Sequence, residues 1–523
     1  MSTNRNNCPA MLVVLDGFGY RNEKNGNAVA AARMPNFEYL RQHYRSTLLH
    51  AAGEFVGLLP GCIGNSEVGH LTLGAGRVIK SVLCRFHEAI DDGSFFERED
   101  LLQVLITLKK SGKALHVMGL LSDAGVHSHE KHLYALLKLA CQVGLDRVYV
   151  HAFLDGRDVP PQSALIYLQH VAHELQNYDG MSLASIHGRF FAMDRDNNWE
   201  RTQQSYDVLC GNASVPPGPA HDWHAALEQS YAHGITDEFV VPTLLDAQGA
   251  VGAGDGIIFF NVRPDRARQL TQAFIDPACV TIKRTIGTYN NSLAFFITAA
   301  RYKRDFNNKV LFEEVVVEHT LLDELAEQTS QSVFVIAETE KTAHVTYFFR
   351  GMRDVRCAQE QYELVPSIKT KSYADCPEMC AKQITDKLVC SLEKNPAYFY
   401  LVNYANADMV GHSGNFEATV KACEFLDEQL GILYREIVVK RAGMLFVVAD
   451  HGNAEQKLDE LGNPLTAHTA NPVLFVAAGK QFMGEANGFF ENKIRFGLAH
   501  VAPTLLKYLG LKVPAAMEHE TIF

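Results

Sequence analysis

The sequence has no CxxC pair. Its 11 cysteines are scattered over 523 residues, a pattern that argues against a thiolate-bound structural zinc, disfavours a disulfide framework and fits reduced thiols in a cytoplasmic chain. No apolar run approaches the ~18 residues of a membrane helix, and the opening MSTNRNNCPAMLVVLDGFGY lacks a long apolar stretch ending at a small-residue cleavage site. Basic charge is also in deficit: 48 Lys and Arg stand against 60 Asp and Glu, a formal net charge of −12. That balance repels nucleic-acid backbones and anionic membranes, and it leaves any anionic ligand to a local basic cluster. Internal repeats, low-complexity segments and heptad arrays are missing as well. What remains is a globular chain, 47% apolar, long enough for two domains.

Glycine is concentrated around one hydroxyl, in GCIGNSEVGH (61–70). So many glycines beside Ser66 suggest backbone that comes close to a ligand with N–H groups free to face an anion. Ser66 is a candidate nucleophile only if other groups strip or stabilise its proton; the plainer reading of this window alone is a Gly-rich surface turn.

Short apolar runs recur along the chain. MLVVLDG (11–17) reads as a buried parallel strand that delivers Asp16 at its C-terminal end, where open α/β sheets place their ligands. ALHVMGLLSD (114–123) and RVYVHAFLD (147–155) read as strands, with a helix over 129–144 between them. A further helix over 162–178 would bury Leu165, Leu168, Val171, Ala172 and Leu175. SLASIHG (182–188), GDGIIFFNVR (254–263) and LAFFITAA (293–300) continue the series, interrupted by a Pro-rich loop at 211–223. A charged stretch at 303–318 reads as a linker, after which VFVIAE, HVTYFFR, YFYLVNYANAD (398–408), a helix over about 415–440, GMLFVVADHG (443–452) and PVLFVAAG (472–479) resume the pattern. Strands alternating with amphipathic helices imply βαβ units and a largely parallel sheet, hence the α/β class.

Two constellations carry chemistry. Asp16, Asp408 and Asp450 end apolar runs, and His412, His451 and His468 lie in the polar turns near them. Carboxylate with neutral imidazole suits a borderline divalent ion such as Mn²⁺ or Zn²⁺ better than Ca²⁺, and two ions could serve an in-line phosphoryl displacement. Singly, each has a plainer reading as a cap or a solvated loop residue. Between residues 120 and 270, SDAGVHSH (His127), DGRDVPP (Arg157, Asp158), GRFFAMDRD (Arg189, Arg195) and NVRPDRAR (Arg263, Arg266) set cations at strand ends. That arrangement suits a small polyanion, although any one of these arginines could serve a structural ion pair.

Taken together with LDGFG, GNSEVGHLTLGAGR, AETEKTAHVTYFF, NADMVGHSG, VVADHGNAE and TAHT, these segments run in order from residue 15 to 469 and resemble the cofactor-independent phosphoglycerate mutases of the alkaline phosphatase superfamily. The resemblance implies two α/β domains: a phosphatase-like metal-binding domain from 1–80 and 316–523, and an inserted transferase domain over 81–315 that binds substrate. It implies an isomerase that interconverts 3-phosphoglycerate and 2-phosphoglycerate through phosphorylated Ser66, without 2,3-bisphosphoglycerate and as a monomer. Asp16, Ser66, Asp450 and His451 would hold one metal and Asp408, His412 and His468 the other, manganese first, with magnesium, zinc or cobalt as alternatives. His127, Arg157, Asp158, Arg189, Arg195, Arg263, Arg266 and Lys341 fall on its substrate-binding positions, with Asp158 and Lys341 also catalytic. Ala124, Val262 and Arg350 depart from the usual pattern, Ala124 where a glycine could hold a positive φ. A metal-dependent phosphatase of the same superfamily and a catalytically silent phosphoglycerate-binding protein are the alternatives.

Overall fold

The structure is a computed structural model that describes residues 8–212, 222–279, 281–284, 293–459, 461–484, 494–518 and 520–523. The middle of the Pro-rich loop, 213–221, therefore lies outside the described residues. The chain forms two compact units, Met1–Lys80 with Val315–Phe523, and Ser81–Glu314.

In the first unit Ala10–Leu15 is apolar throughout and wholly buried, as a strand covered on both faces must be. It lies between Phe399–Tyr404 and Met444–Val448, parallel to both. Val333–Glu338 continues the parallel set beside Phe399–Tyr404, and Glu360–Val365 completes that side. On the other side Val473–Ala478 runs antiparallel to Met444–Val448 and to Arg45–His50, with Phe496–Gly497 at the edge. The parallel strands present their C-terminal ends along one edge, and the segments that follow them there, turns or short helices, carry Asp16, Lys341, Asp408 and Asp450.

Several local readings change. The run expected to end at Asp408 stops at Tyr404; Asp408 sits instead on the helix Asn406–Gly411, with His412 as its C-cap. The i, i+4 spacing then puts both ligand types on one helix face. Ser66 is the first residue of the helix Ser66–Ala75, and Asn65 caps it by accepting from the Val68 N–H (3.1 Å). HVTYFFR is no strand: His344–Phe348 is a π-helical turn. Its β-branched and aromatic content favours a strand locally, but Val345 and Phe349 are the buried pair, at helical spacing.

In the second unit Leu115–Leu121, Val148–Leu154 and Met181–Gly188 are parallel neighbours. Gly256–Phe259, Phe295–Thr298 and Lys309–Val310 extend the sheet beyond Leu115–Leu121, and Thr243–Leu244 pairs antiparallel at the other edge. The helix expected over 162–178 spans Ala164–Leu175 and buries Ala164, Tyr167, Leu168 and Val171, while Leu165 is exposed. The strand ends again lead into polar turns, with Asp155 directly after Leu154 and Arg189 directly after Gly188. In the 122–128 loop the left-handed residue is Gly125 (φ 69°), so Ala124 carries no strained backbone.

Candidate active site

Ser66 Oγ is held by three groups in the first unit. Lys341 Nζ donates to it (2.7 Å), His451 Nε2 lies 2.9 Å away, and the hydroxyl donates to Asp16 Oδ1 (3.2 Å). Close packing makes this possible. Gly17 has φ 70°, and a Cβ there would come within 2.7 Å of the Asp408 Cβ; a Cβ at Gly69 would come within 2.5 Å of the Asp450 carbonyl. The Gly17 N–H donates to Asp450 Oδ1 (3.1 Å), tying the turn after the first strand to the Asp450 turn.

Lys341 is buried, and its ammonium also donates to Asp16 Oδ1 (2.6 Å) and Asp408 Oδ2 (2.7 Å). Burial alone would drive its proton off, but the Asp16, Asp408 and Asp450 carboxylates outweigh burial and hold it above the ordinary lysine range. The same attraction outweighs the effect of burial on Asp16 and Asp408 and keeps both below the usual carboxylate range. Burial would lower His451, yet Asp450, Asp16 and Asp408 push it up to about 9. In the metal-free protein the Lys341 ammonium and the protonated His451 thus both converge on the Ser66 oxygen, the direction that favours an alkoxide.

The donor set fits divalent cations. His412 Nδ1 lies 2.8 Å from the Thr466 carbonyl and His468 Nδ1 3.0 Å from the Gly64 carbonyl, so each Nδ1 carries the proton. Their Nε2 atoms are 3.0 Å apart, and Asp408 Oδ1 lies 3.3 Å from the first and 3.1 Å from the second. Two lone pairs facing one another beside a carboxylate repel until a cation or proton comes between them. Asp408 with His412 and His468, and Asp16 with Asp408 and His451, bring their ligand atoms within 4.8 Å of one another. Asp450 Oδ2 is buried without a hydrogen bond, with His70 Nδ1 3.1 Å from it.

The second cluster belongs to the second unit. Arg189, buried, donates from Nη1 to Asp155 Oδ1 and to Asp158 Oδ2, both at 2.6 Å. Asp155 also accepts from Ser122 Oγ (2.7 Å) and from the Asp158 N–H (2.9 Å), which fixes the DGRD turn. Asp265 gathers Arg195 (2.9 Å), Arg263 (3.3 Å) and His127 (3.6 Å). Burial, then the charges of Arg195, Arg189 and Arg157, pull Arg266 below its ordinary value. Burial and Arg189 bring His127 down to about 3, so it is neutral. Cations that destabilise one another in this way favour an anionic ligand.

The sequence reading missed the supports of both clusters. His70 lies one helical turn after Ser66. Its Nδ1 lies 2.9 Å from the Ser66 carbonyl and its Nε2 3.0 Å from the Asn403 amide, which also holds Asp16 Oδ2 (2.8 Å). Asn453 donates to Asp408 Oδ1 (2.8 Å), and buried Lys457 donates to Asn453 Oδ1 and the Gly411 carbonyl. Asp155 and Asp265 were likewise unmarked, though both stand within the quoted motifs. Arg350, one of the departures, is buried and paired with Asp323 and Glu360.

A family model described as the BPG-independent PGAM N-terminus matches residues 86–304. A 2,3-bisphosphoglycerate-independent phosphoglycerate mutase of Gloeobacter violaceus is 42% identical over 511 residues, covering 97% of this chain and 94% of its own. One from a Synechococcus species is 46% identical over 518 residues, covering 98% and 95%. Among solved structures, a Leishmania mexicana phosphoglycerate mutase determined at low cobalt concentration matches with a TM-score of 0.68 at 29% identity, over 98% of this chain and 97% of that one.

Proposed function

Since this chain belongs to the family of 2,3-bisphosphoglycerate-independent phosphoglycerate mutases, we propose that it interconverts 3-phosphoglycerate and 2-phosphoglycerate through phosphorylated Ser66. The observation that carries this reading is the placement of Ser66 Oγ within 3.2 Å of Lys341, His451 and Asp16, each hydrogen-bonded to it.

Asp16, Ser66, Asp450 and His451 would hold one divalent ion and Asp408, His412 and His468 a second, with Mn²⁺ the first choice for mixed carboxylate and imidazole ligands. Such ions supply charge stabilisation to phosphoryl oxygens and lower the proton affinity of a nearby hydroxyl. The chain's own residues do the rest. The Ser66 oxygen attacks phosphorus and the glycerate oxygen leaves, while Lys341 offsets charge on the equatorial oxygens. Arg189, Arg195, Arg263 and Arg266 retain the glycerate, with Arg157 and His127 beside them. The proton lost from Ser66 in the first transfer is matched by the one the departing glycerate oxygen gains; Asp158 then takes the proton of whichever hydroxyl attacks phosphoserine, and Ser66 regains a proton as it leaves. Either hydroxyl can be phosphorylated, and the two products are the two isomers.

In this account residues 1–80 and 316–523 form the phosphatase-like metal-binding domain, and 81–315 the substrate-binding transferase domain. The protein works as a monomer in the cytoplasm. All eleven cysteines are free, in keeping with a reducing compartment, and no helix among the described residues is long and apolar enough to cross a membrane. The test is metal-stripped protein re-supplied with Mn²⁺ and given 3-phosphoglycerate without 2,3-bisphosphoglycerate, with 2-phosphoglycerate and free phosphate followed together. Metal-dependent isomer with little phosphate supports the reading; phosphate without isomer overturns it.

A further inference from the structure

The first unit contains a cavity of about 320 Å³ that none of the carboxylate and histidine cluster lines. Its walls come from the loop after Asp16, the two short helices that follow, Ala28–Ala31 and Pro35–His43, and Leu474. Phe18, Met34 and Phe37 are buried at its apolar side, with the Phe18 and Phe37 rings edge to face at 5.3 Å. Its polar side is basic: Arg21, Lys24 and Arg41 stand against the single carboxylate of Glu38, on a chain whose net charge is −12. Arg41 is committed to Glu38 (2.7 Å). Arg21 uses Nε on the exposed Glu23 (3.0 Å), and its Nη1 is buried with no hydrogen-bond partner. The Arg21 side chain keeps about a fifth of its surface accessible at the wall of this cavity, and a guanidinium head beside apolar walls and a space of small-molecule size is a seat for a ligand carboxylate.

We propose that this cavity is a second ligand site, which takes a small organic anion with a one- or two-ring apolar body and seats its carboxylate on Arg21. The loop that forms it begins at Asp16 and is tied at Gly19 to Glu455 (3.1 Å) and at Tyr20 to the Pro472 carbonyl (2.8 Å), so the site is part of the folded framework.

The experiment is calorimetric titration of the full-length protein with 2-naphthoate, alone and with saturating 3-phosphoglycerate, and with the neutral 2-naphthamide as a comparison. The expected result is saturable one-to-one binding of the naphthoate that 3-phosphoglycerate leaves in place. Arg21→Ala should weaken it by about tenfold or more, as loss of a charged hydrogen bond would, and Ala30→Trp should abolish it by filling the space. The naphthamide should bind more weakly than the acid. Both variants should retain mutase turnover, which shows that they are folded. Absence of saturable binding, displacement by 3-phosphoglycerate, or affinity unchanged by Arg21→Ala would each overturn the proposal.

Discussion

Lys341 Nζ lies 2.7 Å from Ser66 Oγ and at the same time bridges Asp16 (2.6 Å) and Asp408 (2.7 Å), the carboxylates assigned to two different metals. Without metal the ammonium is the cation nearest both buried carboxylates. Lys341→Met should therefore destabilise the metal-free protein by about 3 kcal/mol, because removal of one partner strands buried charge. The loss should be smaller with Mn²⁺ present, since added positive charge offsets the same carboxylates. Turnover should fall by about 10²-fold or more. Denaturant unfolding of both forms measures this; equal losses in the two would remove Lys341 from its bridging role.

The facing Nε2 atoms of His412 and His468, 3.0 Å apart, give a stoichiometric expectation. His468→Ala should eliminate one of two tight Mn²⁺ equivalents in a calorimetric titration and abolish isomerisation, while the metal-free melting temperature stays within a few degrees. Two equivalents retained at wild-type affinity would contradict the ligand assignment.

Arg263 is half exposed and approaches Asp265 at 3.3 Å. Arg263→Ala should raise KM for phosphoglycerate about tenfold or more, the worth of a charge-assisted hydrogen bond, with little change in stability because exposed ion pairs contribute at most about 1 kcal/mol. Steady-state kinetics beside thermal unfolding separates the two. An unchanged KM would take Arg263 out of the substrate pocket.

A buried relay crosses the sheet of the second unit. His116 Nδ1 lies 2.9 Å from His151 Nε2, His151 Nδ1 lies 2.7 Å from Ser185 Oγ, and that oxygen lies 2.7 Å from His187 Nε2. Burial lowers His116, lowers His151 further and brings His187 down to about 3. With folded values below the unfolded value of about 6.5, the unfolded chain takes up protons first as pH falls. Stability is therefore full above about pH 6.5 and falls as the pH drops below it, for His187 by about 1.4 kcal/mol per pH unit down to its folded value of about 3, with His116 and His151 acting in the same direction. The only two tryptophans, Trp199 and Trp223, both lie in this unit, so their fluorescence reports it selectively. The urea midpoint should drop between pH 7 and pH 5, less steeply in His187→Ser. A midpoint that stays level across that range would contradict the relay's neutral state.

The sequence was most legible where one local signal sufficed. A short apolar run ending in an acid located Ala10–Leu15 and Met444–Val448, because strands buried on both faces leave no polar alternation to confuse the reading. It was least legible where packing decides. His344–Phe348 has the composition of a strand yet turns helically to bury Val345 and Phe349. Leu165 fits the helical period but is exposed, and Tyr167 takes the buried place. The supports His70, Asn403 and Asn453 were invisible for another reason: an amide or imidazole that holds a reactive carboxylate looks in sequence like any polar residue. His70 alone left a trace, one helical turn after Ser66 on the same helix.

The most direct measurement is chemical. Mn²⁺-loaded protein is mixed with 3-phosphoglycerate, quenched in acid during turnover and digested, and the peptide that carries Ser66 is examined by mass spectrometry. The account predicts one phosphoryl group on Ser66 in the wild type, none in Ser66→Ala, and loss of isomerisation in that variant. Steady formation of 2-phosphoglycerate by Ser66→Ala, or by wild type with Ser66 never modified, would contradict it.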